Sequence, residues 1–261
     1  MEEGKQKLTN KQISVMAAKL AEKLTNYTLS RKDVYDQYGR FRTQRDGIEP
    51  DKSLYWGYGG HLHLNLYGLL GPLEYAIETH NKALAEYVRG VYEFGRQTGY
   101  PPIGWFPEQH SVETRCESCQ IADMIALGVK LSKVGVGDYW EDIDQYVRNQ
   151  FVENQMLTSD WVYKIPEKYL QSKPVNSEKG ESTDRVAERS VGGWAGWALP
   201  NEWLAVEQNV PGIMQCCTGN AARALYFAWE SIIEKKGDDS AQVNLLLNRA
   251  SPWMDVDSYL P

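Results

Sequence analysis

The four cysteines of this 261-residue chain form two tight clusters, and they are its clearest candidates for chemistry. Cys116 and Cys119 lie three positions apart, and the adjacent pair Cys216 and Cys217 follows much later in the chain. A disulfide scaffold is usually shorter and denser in cysteine, whereas clustered cysteines in an intracellular chain more often bind metal or act in catalysis. The alternative is that these are buried free thiols, which pack as small hydrophobic groups.

The clusters offer two alternative sets of metal ligands. Zinc takes four ligands from cysteine, histidine and carboxylate side chains, and each thiol must lose its proton to bind. In a regular helix Cys116 and Cys119 share one face, so with the later pair they would form an ordinary structural site of four thiolates. Glu117 and Cys119 can share an ion only if a helix begins at this point, because residues i and i+2 of a helix point apart. The spacing alone slightly favours four thiolates.

Hydrophobic periodicity predicts an all-α, α/α architecture of about six helices. These helices are predicted at residues 11–27, 59–79, 82–97, 117–134, 138–157 and 217–235. The stretch 28–58 and the proline-rich loop 98–115 are predicted to be irregular, and the polar segment 165–192 is predicted to be an exposed insertion. The C-terminal tail reads as a strand and a turn.

Composition excludes several classes of partner. The chain is 42% hydrophobic, enough for a sizeable core, and its formal charge of -7 comes from interspersed acidic and basic residues without a basic stripe. We therefore expect no nucleic-acid partner. No apolar run approaches membrane-spanning length and the first residues lack a signal-peptide segment, so we expect no membrane partner and a cytoplasmic protein. Nine Trp and sixteen Tyr suit a sugar-binding cleft, although most should lie in the core.

Two motifs resemble those of glycoside hydrolase family 127, the β-L-arabinofuranosidases and their relatives. The residues E-S-C at 117–119 are similar to the family's E-x-C signature, and C-C-T-G-N at 216–220 is similar to its C-C-x-x-N signature. The similarity runs from about residue 59 to the end of the chain. It implies a retaining glycosidase acting on a carbohydrate, in which Cys216 attacks the anomeric carbon and zinc is held by Glu117, Cys119, Cys216 and Cys217.

The resemblance also implies a glutamate acid/base in the loop before the E-x-C motif. Glu108 and Glu113 are the candidates, although neither has the expected spacing. We favour Glu108, because Trp105, Phe106 and Pro107 supply apolar surroundings that favour the protonated form of a carboxylic acid.

Three residues are candidates for contact with the sugar. His61 and His63 resemble the histidine-bearing segment that lines the family's sugar site, and Trp105 is an aromatic residue in the predicted site loop. If the segment is extended, both histidines lie on one face, whereas a helix would separate them. A structural role for either histidine is nearly as plausible.

The family fold is an (α/α)6 toroid followed by β-sandwich domains. Since the sequence predicts about six helices where a toroid has about twelve, we expect residues 1–236 to be about half of a barrel and 237–261 to begin a β region. The faces that the other half would cover would be exposed, which would favour self-association. Two rival functions are a non-catalytic protein with a structural four-cysteine zinc site and a metal-free α/α-toroid sugar lyase or hydrolase.

Overall fold

The computed structural model of this protein is mostly helical, which confirms the predicted all-α class at the coarse level. It describes residues 9–31, 34–36, 38–40, 61–108, 116–166, 175–198 and 212–259. The α-helices within these ranges are α1 (Asn10–Ser30), α2 (Leu62–Tyr67), α3 (Leu70–Glu78), α4 (Lys82–Thr98), α5 (Ser118–Lys133), α6 (Trp140–Tyr146), α7 (Val186–Arg189) and α8 (Gln215–Ser231). The strands form two antiparallel pairs: β1 (Cys116–Glu117) with β2 (Trp197–Ala198), and β3 (Ile233–Lys235) with β4 (Ala241–Val243).

Local capping explains where the well-predicted helices begin. Thr9 and Gln12 form a capping box at the start of α1, in which each side chain accepts a hydrogen bond from the other's backbone N–H. At the start of α4 the Asn81 Oδ1 accepts the N–H of Leu84 at 3.1 Å. Helices α1 and α4 therefore begin within a residue of their predicted starts, and α5, which has no side-chain cap, also lies within a few residues of its predicted bounds.

Three predicted helices were wrong in detail. The segment 59–79 contains two helices rather than one, because Gly68 ends α2 and α3 begins at Leu70. In the segment 138–157 the regular helix α6 passes into one wider turn over Val147–Phe151 and ends early. The last residues of the segment 217–235 belong to β3, which pairs with β4 across a turn containing Gly237 at a φ of 137°.

The centre of the molecule is α5, which is buried on all sides because its sequence is apolar almost all round. It packs against α8, α2, α4 and α6. The face of α8 that meets α5 consists of small residues, Ala221, Ala224 and Ala228, which let the two helices approach closely. The apolar spacing of Ala221, Leu225 and Ala228 in the sequence predicts that Leu225 faces inward as well, but Leu225 is 42% exposed. The two helices that begin at the cysteine clusters, α5 and α8, thus pack directly against each other.

The connections are only partly within the described ranges. In the segment 28–58, Tyr35 is buried and its hydroxyl donates to the Asn65 carbonyl at 2.6 Å. In the loop 98–115, Gly99 packs so closely against Phe106 that a Cβ atom would collide with its ring. Residues 175–186 of the predicted polar insertion are exposed, as expected. Among the helices in the described ranges, none has the length and apolar content needed to cross a bilayer.

Candidate metal centre

Four potential ligands from two distant segments meet where α5 packs against α8. Glu117 and Cys119 lie at the start of α5, Cys216 and Cys217 lie in the first turn of α8, and their ligand atoms all lie within 4.8 Å of one another. The Cys217 Sγ is 3.3 Å from the Cys119 Sγ, 3.9 Å from the Cys216 Sγ and 3.8 Å from the Glu117 Oε1. Sulfur atoms about 2.3 Å from a tetrahedral ion lie about 3.8 Å apart. The cluster can therefore hold a metal ion.

Glu117 takes the fourth place in this cluster, and Cys116 lies outside it. Helix α5 begins only at Ser118, so Cys116 belongs to strand β1, where successive side chains point to opposite sides. Cys116 pairs with Ala198 across the two strands, and burial raises the pKa of its thiol to about 12. The four-thiolate set that the spacing slightly favoured is therefore not the one that the structure brings together.

The donor set leads to a prediction about metal content. Glu117→Ala should weaken zinc binding by more than about 10-fold, because it removes a ligand, whereas Cys116→Ala should leave binding unchanged. Elemental analysis after dialysis against graded zinc concentrations measures both, and circular dichroism checks that each variant is folded. Zinc loss in Cys116→Ala with retention in Glu117→Ala would restore the four-thiolate interpretation.

A buried hydrogen-bond network fixes the start of α5. The Ser118 hydroxyl donates to the Ala195 carbonyl at 2.6 Å and accepts from the Asn154 amide at 2.9 Å. The Gln120 amide donates to the Phe106 carbonyl at 2.7 Å, which ties the loop before Glu108 to the same helix. These polar residues in an otherwise apolar helix are the sequence signal for this network. Buried hydrogen bonds of this kind rigidify the groups that they connect.

The start of α8 is fixed by the segment that precedes it. Gly196 lies so close to Met214 that any side chain at 196 would collide with it. The Met214 N–H donates to the Trp194 carbonyl at 3.2 Å, and the Thr218 hydroxyl accepts from the Trp194 N–H at 3.0 Å. These contacts hold the first turn of α8, and with it Cys216 and Cys217, against the start of α5.

His61 lies between two buried carboxylates. Its Nε2 is 3.1 Å from the Glu117 Oε2 and 3.6 Å from the Glu108 Oε1, and its Nδ1 accepts the N–H of Leu64 at 3.2 Å as the N-cap of α2. Burial opposes protonation of the ring, but the two carboxylates raise the pKa of His61 to about 9. The Leu64 contact acts against that rise in pKa, since it requires an unprotonated Nδ1. Whether the imidazole is neutral with its proton on Nε2 or doubly protonated, the Nε2 proton faces the two carboxylates.

Binding of a metal ion at the cluster is coupled to the loss of protons from its thiols. Burial would raise the pKa of Glu117, but the hydrogen bond and charge of His61 outweigh it and hold that pKa below its usual value. The contact with Cys217 and burial raise the pKa of the Cys119 thiol, and burial raises that of Cys216. The thiols therefore keep their protons at neutral pH unless a metal ion displaces them, which is the chemistry of a thiolate metal site.

His63 begins a second chain of contacts that ends on Cys119. Its Nδ1 lies 2.5 Å from the Asp123 Oδ2, and the Asp123 Oδ1 accepts from the Arg223 guanidinium at 3.0 Å. The same imidazole contacts Cys119, whose Sγ also accepts from the Asn220 amide at 3.3 Å. Groups of this kind orient metal ligands. Sequence reasoning missed Asp123; the signal is a carboxylate in a helix that is otherwise apolar.

The remaining predicted site residues are Glu108, Trp105 and Glu113, and they differ in their distance from the cluster and in whether the structure describes them. Glu108 is buried beside His61, close to the cluster. Trp105 is partly buried and packs against the hydrophobic core. Glu113 lies outside the described residues, so Glu108 is the candidate acid/base that the structure places.

Comparisons of this chain with protein-family models, with curated proteins and with solved structures found no match. The function is therefore inferred from the chemistry of the site and from the sequence motifs.

Proposed function

We propose that this chain carries the zinc-thiolate half of a retaining glycoside hydrolase of the β-L-arabinofuranosidase type, with Cys216 as its nucleophile. One observation carries the proposal: Cys216 is exposed, whereas Cys116, Cys119 and Cys217 are buried. A purely structural metal site has no use for an accessible thiolate, but a nucleophile must be reached by its substrate. The arrangement of the helices as half of an (α/α)6 toroid is part of the same proposal.

The three buried ligands and the exposed one would have different roles, the first three in binding the metal and the last in attacking the sugar. Glu117, Cys119 and Cys217 would anchor zinc inside the protein, out of contact with water. Bound zinc would supply an ionised sulfur at neutral pH, since a coordinating thiol is deprotonated. Cys216 lies in the first turn of α8 and is exposed, so a sugar can approach it from solvent.

The reaction has two displacement steps. In the first, the Cys216 Sγ forms a bond to the anomeric carbon while the bond to the leaving oxygen breaks, and Glu108 gives its proton to that oxygen. In the second, Glu108 takes a proton from water, the water oxygen bonds to the anomeric carbon, and the carbon–sulfur bond breaks. Each step inverts the anomeric carbon, so the product keeps the configuration of the substrate.

His61 supports both carboxylates in this scheme. Its Nε2 lies between Glu108 and Glu117, so one imidazole holds the acid/base beside the metal ligand. The contacts of His63 with Asp123 and Cys119 favour a role in orienting the ligand over direct contact with the sugar.

Substitution of the acid/base tests this function. Glu108→Gln should slow the hydrolysis of β-L-arabinofuranosides with poor leaving groups by roughly 10²–10⁴-fold, and activated aryl glycosides far less, because only the former need a delivered proton. The rates are measured across a series of leaving groups on the zinc-loaded chain, or on any longer protein that contains it, and NMR of the first product reports retention.

The exposed Glu78 provides the matched control, since Glu78→Gln changes the same chemical group away from the site and should leave every rate unchanged. Equal slowing of all substrates by Glu108→Gln would remove Glu108 from the acid/base role. An inverted first product, or full hydrolysis by metal-free protein, would refute the proposed function.

A further inference from the structure

The first half of α1 projects from the rest of the described structure. Every residue of this helix before Ala21 is exposed, and α1 packs against α3 through a face near its C-terminal end that includes Thr25, its only buried residue. The helix is nevertheless well formed, with a capping box at its start and 21 residues. Helices in proteins owe most of their stability to the packing of one face against other groups. The residues on the exposed surface of α1 therefore indicate what kind of partner it would pack against.

An apolar stripe that the described part of the structure leaves exposed runs along this helix, on a different side from the face that packs against α3. At 100° per residue its members fall within an arc of about 80°, the width of one helix-packing surface. Each residue of the stripe exposes between 51% and 60% of its surface: Ile13, Met16, Leu20, Leu24 and Tyr27. The charged residues Lys11, Lys19 and Glu22 lie outside the stripe. Lys23 lies at its edge, about 20° beyond Met16 at 100° per residue, where a long side chain can keep its ammonium group in water when the stripe is covered.

The stripe is symmetric about Leu20. Ile13 and Tyr27 lie seven positions on either side of it, and Met16 and Leu24 lie four positions on either side. In an antiparallel pair of identical helices with a two-fold axis at Leu20, each apolar residue therefore meets another apolar residue. A partner of different sequence has no need of this symmetry.

We propose that a second copy of this chain covers the stripe, and that α1 pairs with its equivalent in an antiparallel two-fold dimer centred on Leu20. Five residues that expose roughly 100 Å² each, with their symmetry mates, can remove at most on the order of 1,000 Å² from water, which is the size of a weak, reversible interface. Because the contact uses the same surface of both copies, it closes at two chains. The dimer does not depend on the metal centre.

The mass of the chain in solution tests the dimer. Sedimentation velocity and light scattering between about 1 and 100 μM should show a mass rising toward twice the 29.8 kDa of the chain, as expected for an interface of this size. Leu20→Lys places two like charges at the axis and should raise the dissociation constant at least about 10-fold. Val15→Lys is the matched control, because Val15 is 47% exposed on another side of the same helix and should leave the dimer intact.

A cysteine introduced at the axis tests the register. Leu20→Cys should form a disulfide between two copies under mild oxidation, with mass spectrometry locating it at residue 20 of both chains, whereas Val15→Cys should not. Both substituted side chains are exposed, so neither change removes a core contact, and circular dichroism confirms the fold. A chain that is monomeric at 100 μM, or a dimer that Leu20→Lys and Val15→Lys affect equally, would overturn the proposal.

Discussion

Cys216→Ser should lower the turnover of an aryl β-L-arabinofuranoside by about 10³-fold or more, the largest catalytic effect that we expect from one substitution. A serine hydroxyl is far less acidic than a thiol, so it supplies almost no nucleophile at neutral pH. The turnover number is measured with saturating substrate and zinc. An active Cys216→Ser variant would contradict the assignment of Cys216 as the nucleophile.

Loss of activity in this variant has a second potential cause, since Cys216 is also a candidate ligand. The zinc content of the same sample separates the two causes, because Glu117, Cys119 and Cys217 remain to hold the ion. We expect Cys216→Ser to keep most of its zinc and to lose its turnover. Cys116→Ala, which changes a buried thiol outside the cluster, is the matched control and should keep both.

Removal of the metal should lower the melting temperature of the chain by about 10 °C or more. The ion would join the start of α5 to the start of α8, so its binding free energy is available to the folded state alone, and several kcal/mol correspond to shifts of this size. Calorimetry with and without a chelator, in the presence of a reductant that keeps the thiols free, measures the shift. Added zinc should restore the melting temperature, and magnesium should not, because it prefers oxygen ligands.

Cys217→Ala provides the sharper version of this test. Cys217 is fully buried and its Sγ contacts Cys119, Cys216 and Glu117, so its loss should abolish high-affinity binding and make the melting temperature insensitive to the chelator. Cys116→Ala should respond to the chelator as the unsubstituted chain does. If the chelator leaves the melting temperature of the unsubstituted chain unchanged, the cluster is not a metal centre that stabilises the fold.

Much of the site was predictable because it depends on local patterns. The two cysteine clusters, the helix that follows each of them and the loop before Glu117 were all visible in the sequence, and α5 and α8 place them together. The choice between Cys116 and Glu117 was not predictable from spacing. It depends on α5 beginning at Ser118, and that start is fixed by contacts with Ala195 and Asn154 from distant parts of the chain.

Tertiary packing also decided the features that periodicity predicted incorrectly. Ala224 rather than Leu225 faces α5, because a close approach of two helices selects small side chains over large ones. Ile233 belongs to a strand because a partner strand lies across the turn, which a helical pattern in one segment does not reveal. Asp123 was overlooked because its partners, His63 and Arg223, come from two other helices or their ends.

The most direct test of the proposed mechanism is to identify the atom that attacks the sugar. A cyclophellitol-type epoxide of matching configuration is incubated with the zinc-loaded chain, which is then digested and analysed by mass spectrometry with fragmentation. The account predicts one label, on the peptide that contains Cys216 and Cys217, with fragmentation placing it on Cys216. A label on Glu108, Glu113 or Glu117 would instead mean an ordinary carboxylate nucleophile, and would contradict the zinc-thiolate mechanism.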